Sequence, residues 1–301
     1  MNLVITPQSQ EELNAYYLFR WQQLRAPWQQ PQGSEKDELE SQALHRMIID
    51  QDTKSVIAVA RLHFDDQFTA QVRYVAVDGG QQGKGIGRIL MDELEKVARE
   101  RGITSVNLNA REVSLAFYQA LGYQLIEKSH LLYGEIQHFL MSKSLEASEA
   151  IEQSLANTLQ EIWHETIPLS KAMNLNACYY DRKKFITSCD PQFNKNLHNT
   201  MFAGSIYTLA TLTGWGWVYF QLQHLALDAD IVLADANIRY LRPVSGAGHG
   251  VVTAEEVKGD LTPIENGRHG KMNITVHIYC GESLCAVFTG KYVAIAKTKQ
   301  T

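Results

Sequence analysis

Apolar and polar positions alternate in short runs through the first half of the chain. SVIAVARLHF at 55–64, TAQVRYVAV at 69–77 and SVNLNA at 105–110 carry the two-residue period of β-strands, and Val4–Ile5 open a shorter one. In the helix RILMDELEKVARERG the apolar side chains change to helical spacing at Ile86, Leu90, Leu94 and Val97, and Gly102 stands where that helix would stop. Helical segments are also expected over 11–23, over 37–47 and in SLAFYQALGY, which ends on Gly122; the remainder to Met141 reads as a hairpin. The second half has another rhythm. Ile151, Leu155, Leu159 and Ile162 form one stripe of an opening helix, ACYYDRKKFITS is strand-like, and a long Trp-rich helix runs from Gly204 to about Leu222. DIVLADANIRYL, GKMNITVHIYC and SLCAVFTGKYVAIA close the chain as strands, with Met272, Ile274, Val276 and Ile278 on one face. This pattern predicts an α/β unit followed by an α+β unit, the latter a curved antiparallel sheet around a hydrophobic helix.

Between these halves SKSLEASEA at 142–150 has neither period nor aromatic anchor and is expected to be the linker, separating domains at 1–143 and 150–301. A length of 301 residues suits two domains. The longest apolar stretch, 215–222, is too short to span a membrane, and the N-terminus carries no basic and apolar leader. Cys178, Cys189, Cys280 and Cys285 fall in no metal-ligand spacing, so a reduced, cytoplasmic setting without metal is expected. A net charge of −5, spread over both halves, argues against nucleic acid as partner.

The glycine cluster Gln82-Gly83-Lys84-Gly85-Ile86-Gly87 lies between a strand and an amphipathic helix. It fails the Walker A pattern, with Asp78 at the first glycine and Gly85 at the hydroxyl position, and fails the dinucleotide pattern at Arg88. Q/R-x-x-G-x-G/A is satisfied. Glycines there let the backbone approach a pyrophosphate, which free helix amides then bind. VRYVAV, QQGKGIGRILMDELEKVARERG and NLNAREVSLAFYQALGY together resemble the GNAT acyltransferase superfamily over residues 1–143. The resemblance implies that acetyl-CoA lies along Val75–Val77, that Gln82, Gly83, Lys84, Gly85, Ile86, Gly87 and Arg88 hold its pyrophosphate, and that Tyr118 protonates the leaving thiolate. Arg111 and Ser114 depart from the Asn and Ala frequent before the F-Y pair, and no carboxylate or histidine stands out as a base.

PQFNKNLHNTMFAGSIYTLATLTGWGW is similar to the hotdog thioesterase-like domain that some bacteria fuse behind a GNAT domain, the YiiD type, and the similarity covers about 150–298. It implies that a pantetheine thioester meets the amides of Phe202–Ser205, with Gly204 allowing close approach. No Asp or Glu occurs between Gly204 and Leu227, which argues against ordinary hydrolysis. Decarboxylation of a malonyl thioester needs only donors to an enolate oxygen and a dry wall. Hotdog relatives of this half include malonyl-acyl-carrier-protein decarboxylases, which make the acetyl-carrier primer of fatty acid synthesis. Their catalytic asparagine corresponds to Asn196, with Asn194 and His198 beside it and Met201, Phe202, Ser205, Trp215 and Trp217 as binding residues or wall. Asn196 could equally cap a turn, and the tryptophans could be core. Acyl carrier protein and CoA thioesters are the expected partners, with Arg182, Lys183 and Lys184 as a basic docking patch and a homodimer formed through the hotdog half. The alternatives are an N-acetyltransferase with an accessory hotdog domain, an acyl-CoA or acyl-carrier thioesterase, and a non-enzymatic acyl-CoA sensor.

Overall fold

The computed structural model describes residues 3–145 and 152–297. Two compact units make up the chain, the first of residues 1–99 and 103–147 and the second of residues 100–102 and 148–301. The expected linker begins too early: Ser142–Ser144 are paired in a strand, and 146–151 lie outside the described residues.

In chain order the first unit contains β1 (Val4–Ile5), α1 (Gln10–Leu24), β2 (Leu44–Ile49), β3 (Val56–Phe64), β4 (Thr69–Val77), α2 (Ile86–Glu100), β5 (Ser105–Arg111), α3 (Leu115–Gln119), β6 (Gln124–Leu132) and β7 (Ile136–Ser144). Its sheet runs β1-β2-β3-β4-β5-β7-β6. Only β4 and β5 are parallel, as the α2 crossover between them requires. Ser9 starts α1 with a capping box, its hydroxyl accepting from the Glu12 N–H while Glu12 accepts from the Ser9 N–H. Ile86, Leu90, Leu94 and Val97 face the core as their spacing predicts. The helix expected over 37–47 is absent. A single 3₁₀ turn at Glu40–Gln42 is followed by strand β2. Both faces of β2 are covered, Leu44 and Ile48 packing into the core shared with α2 and Met47 into a second core with Tyr16 and Phe19 of α1. A strand buried on both sides shows no polar alternation.

The second unit contains α4 (Gln153–Thr166), α5 (Pro168–Ala172), β8 (Asn176–Tyr180), β9 (Lys184–Cys189), α6 (Ala203–His224), β10 (Ala229–Tyr240), β11 (Gly248–Thr253), β12 (Val257–Asp260), β13 (Gly270–Cys280) and β14 (Ser283–Ala296). Its antiparallel sheet runs β10-β14-β13-β11-β9-β8, with β12 on β13. Ile274, Val276 and Ile278 of β13 and Phe288 and Tyr292 of β14 share one core with the α6 side chains Leu209, Val218 and Phe220. ACYYDRKKFITS is not one strand but the β8–β9 hairpin, turning at Arg182 with φ 68°. The buried stripe of α4 is Ala156, Leu159 and Trp163, with Leu155 at its margin; Ile151 lies outside the described residues.

Candidate active sites

In the first unit the site begins where β4 and β5 part. They pair only from Thr69–Ser105 to Val72–Leu108, while β5 stays on β7 as far as Arg111–His138. Against β3, β4 changes register between Arg73 and Ala76. Tyr74 takes φ 57° within that bulge, a conformation that costs a bulky residue about 1–3 kcal/mol and must be held. Its hydroxyl donates to Asp37 Oδ2 at 3.0 Å, and the Arg20 guanidinium lies 3.5 Å over its ring. Arg20 and Arg61 are fully buried. Glu40 accepts from Arg20 at 2.6 Å and from Arg61 at 2.6 Å, while Asp37 accepts from Arg61 and, at 3.1 Å, from Arg73. Burial alone would raise the Glu40 pKa, but the two guanidiniums outweigh it and hold the carboxyl below its ordinary range.

The divergence leaves a cavity of about 540 Å³. Val75, Val77, Gln82, Gly83, Gly85, Ile86, Gly87, Arg88 and Tyr118 all line it. Lys84 does not, its Nζ donating to Gln81 Oε1 at 3.1 Å. Gly83 and Gly85 have φ 76° and 80° and turn the chain into α2, whose first amides lack an intrahelical acceptor. A Cβ on Gly87 would lie 3.0 Å from Phe117 Cζ, so glycine lets that ring close over the first turn. Arg88 donates to the Ala120 carbonyl at 3.1 Å, tying the start of α2 to the end of α3. Burial pushes the Tyr118 phenol above its ordinary value, so it stays protonated and can give a proton rather than take one. Tyr118 also lines a second recess of about 140 Å³ between the same strands.

In the second unit the residues before α6 form a loop closed by their own side chains. Asn194 is buried and anchors it, donating to the Met173 carbonyl at 2.9 Å and the Asp190 carbonyl at 2.7 Å. Asn196 Oδ1 accepts from the His198 N–H at 2.8 Å and the Thr200 N–H at 3.3 Å, and its Nδ2 donates to Thr200 Oγ1 at 3.0 Å. Met201 is buried, its N–H on the Val244 carbonyl at 2.8 Å; His198 is exposed. Phe202 begins α6 with no side-chain cap, which leaves the amides of Ala203, Gly204 and Ser205 at the positive end of a 22-residue helix. A Cβ on Gly204 would meet the Phe202 ring at 2.4 Å.

Residues 13–123 match the acetyltransferase (GNAT) family, and residues 156–296 match the family described as "Putative thioesterase (yiiD_Cterm)". The chain is a fusion of these two families. The GNAT unit is similar to the Bacillus subtilis protein named "Uncharacterized N-acetyltransferase YjcF", 27% identical over 143 residues that cover 48% of this chain and 99% of that protein. Bacillus subtilis YyaT is 32% identical over 77 residues, covering 26% of this chain and 51% of that protein. The crystal structure titled "putative thioesterase from Shewanella oneidensis" is 45% identical, with a TM-score of 0.46, covering 48% of this chain and 99% of that one.

Within the YiiD unit Trp217 is core, 2% exposed beside Tyr180, and Trp215 donates to the Ile231 carbonyl at 3.2 Å; the pair belongs to the interior rather than to a wall at the helix start. Arg182 of the basic patch is paired with Glu152. In the GNAT unit the sequence reading missed Asn109, His130 and His138, which line the smaller recess with Tyr118. Their only sequence signal is their place in the strand-like segments β5, β6 and β7, which alone does not say which strand face meets the cleft. No described helix is long and apolar enough to cross a membrane.

Proposed function

We propose that the GNAT unit transfers acetyl from acetyl-CoA to an amine and that the YiiD unit decarboxylates malonyl thioesters. Malonyl-acyl-carrier protein is the substrate in this reading, and the acetyl-carrier product initiates fatty acid synthesis. The observation that carries the second reading is the start of α6: amides with no side-chain cap, on a helix that holds no acid, preceded by a loop that fixes the Asn196 carboxamide. Decarboxylation breaks the bond between the α-carbon and the carboxylate. Carbon dioxide leaves, the electron pair moves onto the thioester as an enolate, and a solvent proton completes the methyl group. The amides and Asn196 Nδ2 act as donors to the enolate oxygen, and losing one such donor typically costs about 10²–10³ in rate. Strand β10 is an edge of the sheet with Val232 41% and Tyr240 47% exposed, and a second copy pairing there would form the homodimer.

Asn196→Asp tests the donor role. An aspartate keeps an oxygen for the His198 and Thr200 amides but removes the Nδ2 donor. Conversion of malonyl-carrier to acetyl-carrier, followed by mass, is expected to fall by about 10²–10³ with unchanged thermal stability. Undiminished turnover in this variant overturns the assignment. Release of malonate and free carrier thiol by the native protein would instead make this a thioesterase, the activity in the family's description.

A further inference from the structure

The smaller recess of the GNAT unit has a composition that selects its occupant. Arg25 and Arg111 contribute to its wall with His130 and His138, and no Asp or Glu is among the residues lining it. Asn109 lines the recess, and its Oδ1 is buried with no hydrogen-bond partner. A buried carboxamide oxygen left without a donor costs about 1–3 kcal/mol, and an N–H entering the recess would relieve that cost. His138 Nδ1 lies 3.0 Å from the Ile136 carbonyl and must carry the proton to bond it, which leaves Nε2 with a free lone pair. The ring stacks on His130 at 4.8 Å.

We infer that this recess binds the acetyl acceptor and that the acceptor is a small amine bearing a carboxylate, an amino acid or its ω-amino analogue. Its nitrogen donates to Asn109 Oδ1, its carboxylate pairs with Arg111 and Arg25, and its proton leaves through His138 Nε2. A planar guanidinium matches a carboxylate in two parallel hydrogen bonds. Five residues, Leu24, Val75, Arg111, Ser114 and Tyr118, line both this recess and the larger cavity, so the two meet at Tyr118. The free amine forms a bond to the acetyl carbon as the bond from carbon to sulfur breaks. Tyr118 protonates the thiolate, the second ammonium proton replaces the one it gave, and the first reaches solvent through His138. Burial, His130, Arg111 and Arg25 all lower the His138 pKa, which keeps the ring neutral near pH 7.

The inference rests on the acetyltransferase reading of this unit, and its test separates the two. The full chain is given acetyl-CoA with four classes of amine: amino acids, the same amino acids as amides, phosphoethanolamine and polyamines. CoA release is measured, and amino-acid binding to the CoA-loaded protein is followed by calorimetry. Amino acids are expected to be acetylated at least tenfold more efficiently than their amides. Arg111→Gln should raise KM for the acids tenfold or more and so erase most of their advantage over the amides. His138→Gln should lower kcat and abolish the loss of rate on the acid side of the pH profile. Equal efficiency for acids and amides, or a preference for polyamines or phosphoethanolamine, overturns the inference while leaving acetyl transfer standing. Amino-acid binding that Arg111→Gln abolishes, without any CoA release, keeps the recess assignment and removes the acetyltransferase reading. Neither binding nor turnover with amino acids overturns the inference.

Discussion

Glu40→Ala is the sharpest probe of how the cleft in the GNAT unit is held open. Arg20 and Arg61 are 0% exposed, and Glu40 accepts from both at 2.6 Å. Removing the carboxylate leaves two buried guanidiniums short of countercharge, with Asp37 alone to neutralise Arg61. Breaking a buried pair by deleting one partner costs about 3–5 kcal/mol. A domain of this size loses roughly 2–4 °C of Tm per kcal/mol, so about 10 °C is expected. Because the folded-state pKa of Glu40 lies below its ordinary 4.5, its stabilisation is complete above that value and is lost as pH falls through the folded value. The deficit of the variant should therefore be full at pH 7 and shrink in acid. Thermal unfolding of the full chain across pH gives the size, and hydrogen exchange read by mass places it. Peptides of β2–β4 should exchange faster while those of α6 stay unchanged. Acetyl-CoA affinity should fall as well, because Arg20 covers the Tyr74 ring inside the bulge. A Tm within about 1 °C of native at pH 7, or a deficit that grows in acid, would refute this reasoning.

Tyr118→Phe removes the proton donor proposed for the thiolate and is expected to lower acetyl transfer by about 10²–10⁴ while acetyl-CoA binding, followed by calorimetry, holds. Gly250→Ala in β11 places a Cβ 2.4 Å from Thr213 Oγ1 and 2.7 Å from Thr187 Oγ1, two buried hydroxyls bonded to each other at 2.6 Å. Denaturant unfolding should show a loss of about 1–3 kcal/mol, the usual cost of overpacking.

The elements legible in the sequence are those with one wet face. In β13, Met272, Ile274, Val276 and Ile278 alternate with polar neighbours, and α2 carries its apolar stripe opposite charge. Where both faces are dry the period vanishes: in β2, Leu44 and Ile48 imitate a helical repeat while lying on one face of a strand. Strand β11, GHGVVT, is absent from the strands expected from the sequence, and its Gly248 and Gly250 stand where the strand passes close to α6 side chains. The glycine cluster stood out in the sequence because a turn that needs positive φ leaves its mark as missing side chains, and Gly83 and Gly85 take that conformation. Asn109 and His138 did not, since they meet only through the separation of β4 from β5, which is a property of the sheet. Asn196 could be named from its loop, whereas the hydrogen bonds to His198 and Thr200 that set its orientation belong to the fold.

The claim that the YiiD unit stabilises an enolate is tested most directly by running the native protein on malonyl-carrier protein in deuterium oxide and weighing the carrier. The account predicts acetyl-carrier whose methyl group has gained a deuterium from solvent, with carbon dioxide released and no free carrier thiol. Free malonate together with unacylated carrier would contradict it.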